Sequence, residues 1–304
     1  MKKPKILVIT GPTGSGKTDI AIECAKQFNG EIVSADSMQI YKDMDIGTGK
    51  VAEKQGVPHY MLDIINPDQG FSVKQYKYMA QSFIDDILAR NKVPIIVGGT
   101  GFYISALIFN MSFGNTGGPT EVRGKYRKLY EEHGSEYLYD MLKRVDSKSA
   151  EAIDKNNIKK IIRALEIFEV TGKPKSEIND PEPQYDFALA VLNPPREKLY
   201  QNINRRFDDM IRLGLFEEIK RVVKQYNLTQ DCQSMQAIGY REFLPYLNDQ
   251  DALEQQVSLA AQHSRNFAKR QITYFKGFKT AVWIDPILEK NKIFDYFKDF
   301  LSKK

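Results

Sequence analysis

Gly11-Pro-Thr-Gly-Ser-Gly-Lys-Thr18 fits the pattern Gly-x-x-x-x-Gly-Lys-Thr without a mismatch. It follows the apolar run Ile6-Leu-Val-Ile9 and precedes Ile20, Ala21, Cys24, Ala25 and Phe28, which recur at helical spacing. Strand, glycine loop and helix in that order make a phosphate cradle: glycines let the backbone curl until successive N–H groups face inward at the positive end of a helix. Gly11, Thr13, Gly14, Ser15 and Gly16 supply the loop, Lys17 a point charge and Thr18 a hydroxyl for Mg²⁺. The pattern predicts a diphosphate or triphosphate group and does not say which.

Outward from this stretch, the first hundred residues alternate strand and helix. Strands are expected at residues 5–10, 31–34 and 93–98, and helices at 17–28 and 72–91, the second opened by Ser72 as N-cap. Such alternation predicts an α/β fold, a parallel sheet with helices on both faces. Residues 36–70 read as a long irregular loop, and loops of that length usually carry function. The breaker cluster Gly114-Asn-Thr-Gly-Gly-Pro119 then changes the character of the chain. Residues 121–171 are almost wholly helical in pattern and highly charged. Asp186-Phe-Ala-Leu-Ala-Val-Leu-Asn193 reads as a buried strand returning to the sheet. The expected organisation is a first part of a P-loop core (1–115), a helical insertion (116–185), and a completion of the core (186–304). The completion carries helices near 196–213, 215–226 and 251–275 and a last strand at 280–284.

Composition bounds the reading. The chain has 304 residues, 42% hydrophobic and 27% charged, an ordinary globular balance. No apolar run approaches the roughly 20 residues of a membrane span. The N-terminal apolar stretch is too short for a signal peptide. Two cysteines, Cys24 and Cys232, cannot build a disulfide framework. A cytoplasmic protein is expected. The net charge of +5 permits a polyanionic partner without demanding one. Its distribution matters more: Lys and Arg gather at 155–163, 205–212 and 265–279. Each of those clusters also fits a solvated helix face.

Four further constellations carry chemistry. Asp36, Ser37, Met38 and Gln39 follow the second strand, whose end faces the phosphate site in such a core. There a carboxylate can take a proton or orient a metal. Val97-Gly-Gly-Thr-Gly101 is a second strand–glycine–helix unit, with Thr100 beside the same site. Arg206 lies on a helix and either reaches a diphosphate bidentately or pairs with Asp208 or Asp209 at the surface. Residues 264–276 alternate basic and aromatic side chains, which suits either RNA contact or an amphipathic core helix. His59 stands four residues from Asp63 and reads as a base or as structural. Three histidines in all argue against a histidine metal cluster.

Together these residues resemble the tRNA dimethylallyltransferases, also called tRNA isopentenylpyrophosphate transferases, nearly end to end. The resemblance rests on 11–18, Asp36-Ser-Met-Gln-Ile-Tyr41, Gly47-Thr-Gly-Lys50, 97–103, Arg163-Ala-Leu-Glu166, Thr171-Gly-Lys-Pro174, Ala237-Ile-Gly-Tyr-Arg-Glu242 and Ala268-Lys-Arg-Gln271. It implies that the P-loop holds dimethylallyl diphosphate with Mg²⁺ rather than ATP. The dimethylallyl group would pass to the exocyclic amine of the adenosine 3′ of the anticodon, in tRNAs reading codons that begin with U. It implies Asp36 as general base, Thr100 in the reaction channel, and Arg206 on the diphosphate. For tRNA it implies Asp36, Ser37, Met38, Gln39 and Thr100, then Arg123, Lys159, Lys160, Ile161, Ile162 and Arg163 of the insertion. Lys269 and Arg270 are expected to join them against the anticodon stem-loop. Asn202, Tyr60 and Lys160 depart from the family pattern, where arginine, histidine and arginine are common. A monomer is expected. The alternative is a P-loop kinase of a small metabolite or nucleoside. A nucleic-acid-binding NTPase is disfavoured, because residues 93–98 end in glycine rather than in an acid.

Overall fold

The computed structural model describes residues 3–51, 54–111, 119–177 and 182–303. Among these residues six strands form one parallel sheet: β1 (Lys5–Thr10), β2 (Gly30–Ser34), β3 (His59–Tyr60), β4 (Val93–Gly98), β5 (Asp186–Leu192) and β6 (Val282–Ile284), in the order β3-β2-β4-β1-β5-β6. Helices follow in chain order as α1 (Lys17–Gln27), α2 (Val73–Ala89), α3 (Gly101–Ile108), α4 (Pro119–Val145), α5 (Ser147–Ala152), α6 (Ile158–Thr171), α7 (Arg196–Arg212), α8 (Leu215–Tyr226), α9 (Tyr240–Phe243), α10 (Gln250–Phe275) and α11 (Lys290–Ser302). Among the described residues, no helix is long and apolar enough to cross a membrane.

The sheet is buried on both faces, which is why its strands read as continuous apolar runs. Along β1, Ile6 and Val8 join one core with Tyr76, Ala80 and Ile84 of α2 and Ile104 of α3. Leu7 and Ile9 join the other with Cys24 of α1 and Ile293 and Phe297 of α11. Successive strand residues point to opposite faces, so one run of four supplies both layers. Each such fully buried side chain contributes about 1.5–3 kcal/mol relative to exposure. Leu7 pairs with Ile95 of β4 and Ala188 of β5, which places β1 centrally and sets the loop after it at the sheet's carboxyl edge. α2 opens as expected at Ser72. Its hydroxyl accepts the Gln75 N–H at 3.2 Å and the Gln75 carboxamide accepts the Ser72 N–H at 2.9 Å. The expected strands at 5–10 and 93–98 coincide with β1 and β4. The expected irregular stretch 36–70 holds the short edge strand β3, and α11 has no counterpart among the sequence expectations.

The chain divides into two compact units, Met1–Asn110 with Pro183–Lys304, and Met111–Glu182. The sequence breakers point to 116 and 185 instead; residues 114–118 and Pro181 lie outside the described residues. Where the chain leaves and re-enters the first unit, Gln184 donates its N–H to the Ile108 carbonyl (2.9 Å) and its side-chain amide to the Leu107 carbonyl (2.6 Å).

The second unit is helical, with α4 broken at Gly134 (φ 80°). Asp146 caps α5 and binds two N–H groups, those of Ser149 and Ser176, each at 2.9 Å. Its core holds Tyr126, Leu138, Leu142, Ile161, Ile162 and Leu165.

Candidate active site

β1 delivers the glycine loop to the carboxyl edge of the sheet. Gly16 caps α1 with φ 79° and Gly14 has φ 80°, the left-handed region that other residues enter at a cost. The N-terminus of α1 therefore opens into a pocket of about 350 Å³. Lys17 and Thr18 line it from α1, Thr13 from the loop, Asp36 and Gln39 from the end of β2, Thr100 from the end of β4, and Arg206 from α7.

Two cations sit at this floor. Lys17 donates to the Pro12 carbonyl at 2.9 Å. Arg206 donates to the Thr13 hydroxyl and to the Thr48 carbonyl, both at 3.2 Å. As whole residues both are half-buried, but their charged ends are enclosed by protein. Burial holds the Lys17 amine down at about 8, against the upward pull of Asp36 and with a further downward push from Arg206. Burial likewise lowers Arg206, opposed by Asp36. Among the described residues neither cation is in an ion pair. A site that encloses two positive groups, hydrogen-bonds them only to neutral oxygens and sets a single carboxylate near them favours an incoming anion.

Asp36 stands over this floor. One carboxylate oxygen accepts the Met38 N–H at 2.9 Å. The flanking backbone is locked: Thr100 donates its N–H to the Ala35 carbonyl (3.0 Å), and its hydroxyl accepts the Ser37 N–H (3.0 Å). Phe207, Met210 and Ile238 give one wall apolar character. Asp36 and the Thr18 hydroxyl offer hard oxygens in one pocket. No group of three His, Cys, Asp or Glu able to hold a metal occurs among the described residues. That donor set fits Mg²⁺, which commonly binds through one or two protein oxygens together with phosphate oxygens.

The fold gathers most of the expected site residues. Thr13, Lys17, Thr18, Asp36, Ser37, Met38, Gln39, Thr100, Arg206 and Arg270 line the pocket. Gly14 and Gly16 line an adjoining open groove with Arg205 and Asp209. Gly11 and Ser15 are buried in the loop, the Ser15 hydroxyl without a partner among the described residues. Lys269 faces elsewhere, into a groove with Arg196, Tyr200, Lys276 and Trp283. There the guanidinium groups of Arg196 and Arg265 lie 5.2 and 6.0 Å from the Tyr200 ring centre.

Arg123, Lys159, Lys160, Ile161, Ile162 and Arg163 belong to the second unit. Lys159 and Lys160 are exposed, and Arg123 and Arg163 both pair with the buried Glu166 at 3.0 Å. The Ile161 and Ile162 side chains are not available to RNA. They fall on the apolar stripe of α6 and are 0% and 6% exposed, because helical periodicity turns two residues of a basic segment inward. His59 does not line the pocket. Its Nδ1 lies 2.8 Å from the Val57 carbonyl, and burial lowers its pKa.

Three contributors were given no site role by the sequence, although Asn202 and Gln271 fall in stretches it singled out. Glu218 of α8 accepts the N–H groups of Asp45, Ile46 and Gly47 at 2.8, 2.8 and 3.0 Å and the Tyr240 hydroxyl at 2.5 Å. It thereby fixes the loop whose Gly47, Thr48 and Gly49 line the pocket. Asn202, one of the departures from the family pattern, donates to the Gly14 carbonyl at 3.0 Å. Gln271 touches both glycine loops.

The family model described as IPP transferase matches residues 39–278. A tRNA dimethylallyltransferase of Thermoanaerobacter pseudethanolicus is 46% identical over 288 residues, covering 92% of this chain and 91% of its own. The crystal structure of a tRNA delta(2)-isopentenylpyrophosphate transferase from Staphylococcus epidermidis aligns at 40% identity and a TM-score of 0.72, over 99% of this chain and 100% of its own. A eukaryotic dimethylallyltransferase, solved acting on tRNA, aligns at 29% identity and 0.85 over 98% and 80%. A P-loop, its facing carboxylate and near-complete coverage agree: this chain belongs to the IPP transferase family.

Proposed function

We infer that the protein is a prenyltransferase that moves a dimethylallyl group onto tRNA. The donor is dimethylallyl diphosphate. The acceptor is the exocyclic amine of the adenosine 3′ of the anticodon, in tRNAs reading codons that begin with U. The observation that carries this reading is the pairing, in one pocket, of two enclosed cations without acidic partners and a carboxylate backed by Thr100. The cations suit a diphosphate, the carboxylate suits a proton to be removed, and the apolar wall suits a five-carbon chain.

In the proposed reaction the bond between the allylic carbon and its diphosphate oxygen breaks, and a bond from that carbon to the amine nitrogen forms. The P-loop N–H groups, Lys17 and Arg206 hold the charge that develops on the leaving diphosphate, where electrostatic stabilisation counts most. Asp36 accepts a hydrogen bond from the amine and takes its proton as the new bond forms. An adenine amine is a weak nucleophile, so alignment of the two reactants supplies much of the remaining rate. Thr100 keeps the Asp36 turn in place. When bound, Mg²⁺ on Thr18 would neutralise diphosphate charge.

The target base has to leave its stack to reach the pocket. Arg270 stands at the pocket, and Lys269 with Arg196 and Lys276 makes a second, basic groove suited to phosphates. Lys159, Lys160, Arg123 and Arg163 are proposed to hold the anticodon arm. The enzyme is proposed to work in the cytoplasm as a monomer, which light scattering at assay concentration would check. The test of the function is direct: incubation with labelled dimethylallyl diphosphate and an unmodified anticodon stem-loop. Label should appear on the adenosine 3′ of the anticodon and vanish when that base is guanosine. Phosphoryl transfer from ATP with no prenyl transfer would overturn the reading.

A further inference from the structure

We propose that Gln271 is a positioning residue that sets the distance between the diphosphate cradle and the Asp36 side of the pocket; this rests on the function proposed above. Gln271 lies on α10 and is 6% exposed. A buried carboxamide costs stability unless its donors and acceptors are used, and here both ends are used on the site. Its oxygen accepts the N–H of Thr13 in the P-loop at 2.9 Å. Its nitrogen donates to the carbonyl of Gly99 in the second glycine loop, also at 2.9 Å.

From Gly99 the connection continues without a gap. Thr100 donates its N–H to the Ala35 carbonyl and accepts the Ser37 N–H on its hydroxyl. Those are the two residues that flank Asp36. One side chain from a distant helix therefore ties the loop that holds the leaving group to the turn that holds the base. Gly99 is glycine for the same reason: a methyl there would overlap the Gln271 amide nitrogen, and its next neighbour beyond Gln271 is the Gly11 carbonyl at 3.7 Å. Transfer requires carbon, leaving oxygen and amine to be aligned. A misplacement of about 1 Å can cost about 10²-fold in rate. Leucine fills the volume of glutamine and makes neither bond. A carboxyl group mimics the amide only when protonated, as one O–H donor and one C=O acceptor. Ionised, it has acceptors alone and repels the Gly99 carbonyl.

The experiment is steady-state kinetics of prenyl transfer by the full chain, with thermal melts to count folded enzyme. Gln271→Leu should lower kcat about tenfold or more while the KM for tRNA stays within about twofold. For Gln271→Glu, the deficit in kcat relative to wild type at the same pH should shrink as pH falls from 8.5 to 6, a trend the leucine variant should lack. A residue that only packs would show no such trend. Should the leucine variant fold poorly, a double-mutant cycle replaces it. Gly99→Ala should cost about tenfold in kcat/KM in the wild-type background and under about threefold beside Gln271→Ala, where the methyl has room. Additive costs, or a leucine variant whose folded fraction has wild-type kcat, would overturn the positioning role. A wild-type enzyme that transfers no dimethylallyl group would instead overturn the functional reading beneath it.

Discussion

At the pocket floor, Lys17 and Arg206 hold enclosed positive charge with only neutral oxygens as hydrogen-bond partners, Asp36 facing them without an ion pair. Near the amino end of β2 in the same sheet, Glu31 shows the opposite arrangement. It is 1% exposed and accepts hydrogen bonds from Arg90 at 2.6 and 2.7 Å, from Lys92 at 2.6 Å and from Tyr60 at 2.8 Å. Glu166 of the second unit repeats the saturated pattern with Arg123 and Arg163. The contrast separates architecture from chemistry. A buried charge whose partners are complete belongs to the scaffold. A buried charge left short of an opposite partner lowers stability in the free protein and is held for a ligand.

The sharpest test of the contrast removes the lone carboxylate that faces the cations. Asp36→Ala should lower the single-turnover rate by about 10²–10⁴ with tRNA affinity nearly intact in a filter-binding titration, since one hydrogen bond to the target base is a small part of the tRNA contact. An unaltered rate would strip Asp36 of its role as base. Next comes Lys17→Met, where the two halves of the comparison predict opposite signs for one change. The KM for dimethylallyl diphosphate should rise by about 10–100-fold, as expected for loss of a charged hydrogen bond. The melting temperature should rise too, by about 1–2 °C per kcal/mol of relieved burial cost in a chain of this size. A fall in melting temperature would mean that Lys17 is structurally paired after all.

Glu31→Gln should behave in reverse, lowering the melting temperature while kcat per folded molecule stays at the wild-type value. The hydrogen bonds from Arg90, ahead of those from Lys92 and Tyr60, hold the Glu31 carboxyl at about 2, below its ordinary 4.5. A depressed carboxylate contributes fully above its unfolded value. That contribution should therefore drain away as pH falls from about 4.5 toward 2, and acid unfolding of the Gln variant should be less steep over that window. The smallest effect concerns the basic groove. Lys269→Ala and Arg196→Ala should each reduce the slope of log tRNA affinity against log salt by about one, leaving the KM for the donor untouched.

What the sequence discloses tracks how local the physics is. The P-loop, β1 and β4 are legible because a continuous apolar run that ends in glycine suits a buried strand entering a tight turn and little else. Edge strand β3 is only His59 and Tyr60, held by pairing with Ile32 and Val33, and two residues carry no period. Helix α11 opens at Glu289 without a side-chain cap, so the usual start signal is missing. In the site, Lys17, Asp36 and Thr100 sit in contiguous motifs and can be named from them. Gln271 reaches Thr13 across 258 residues, and Glu218 reaches Gly47 across 171, so folding alone brings them together. Ile161 and Ile162 show the converse. A run that reads as one basic surface is split by the helix into a wet side and a dry one.

The clasp of Gln184 on Leu107 and Ile108 has an engineering consequence. The outgoing and returning threads of the chain are fastened side by side at a single point of the first unit. A short turn could bridge them, so the whole of Met111–Glu182 can be excised without pulling a strand out of the sheet. The helical unit is in that sense an interruption of the chain whose removal leaves all six described strands in the first unit.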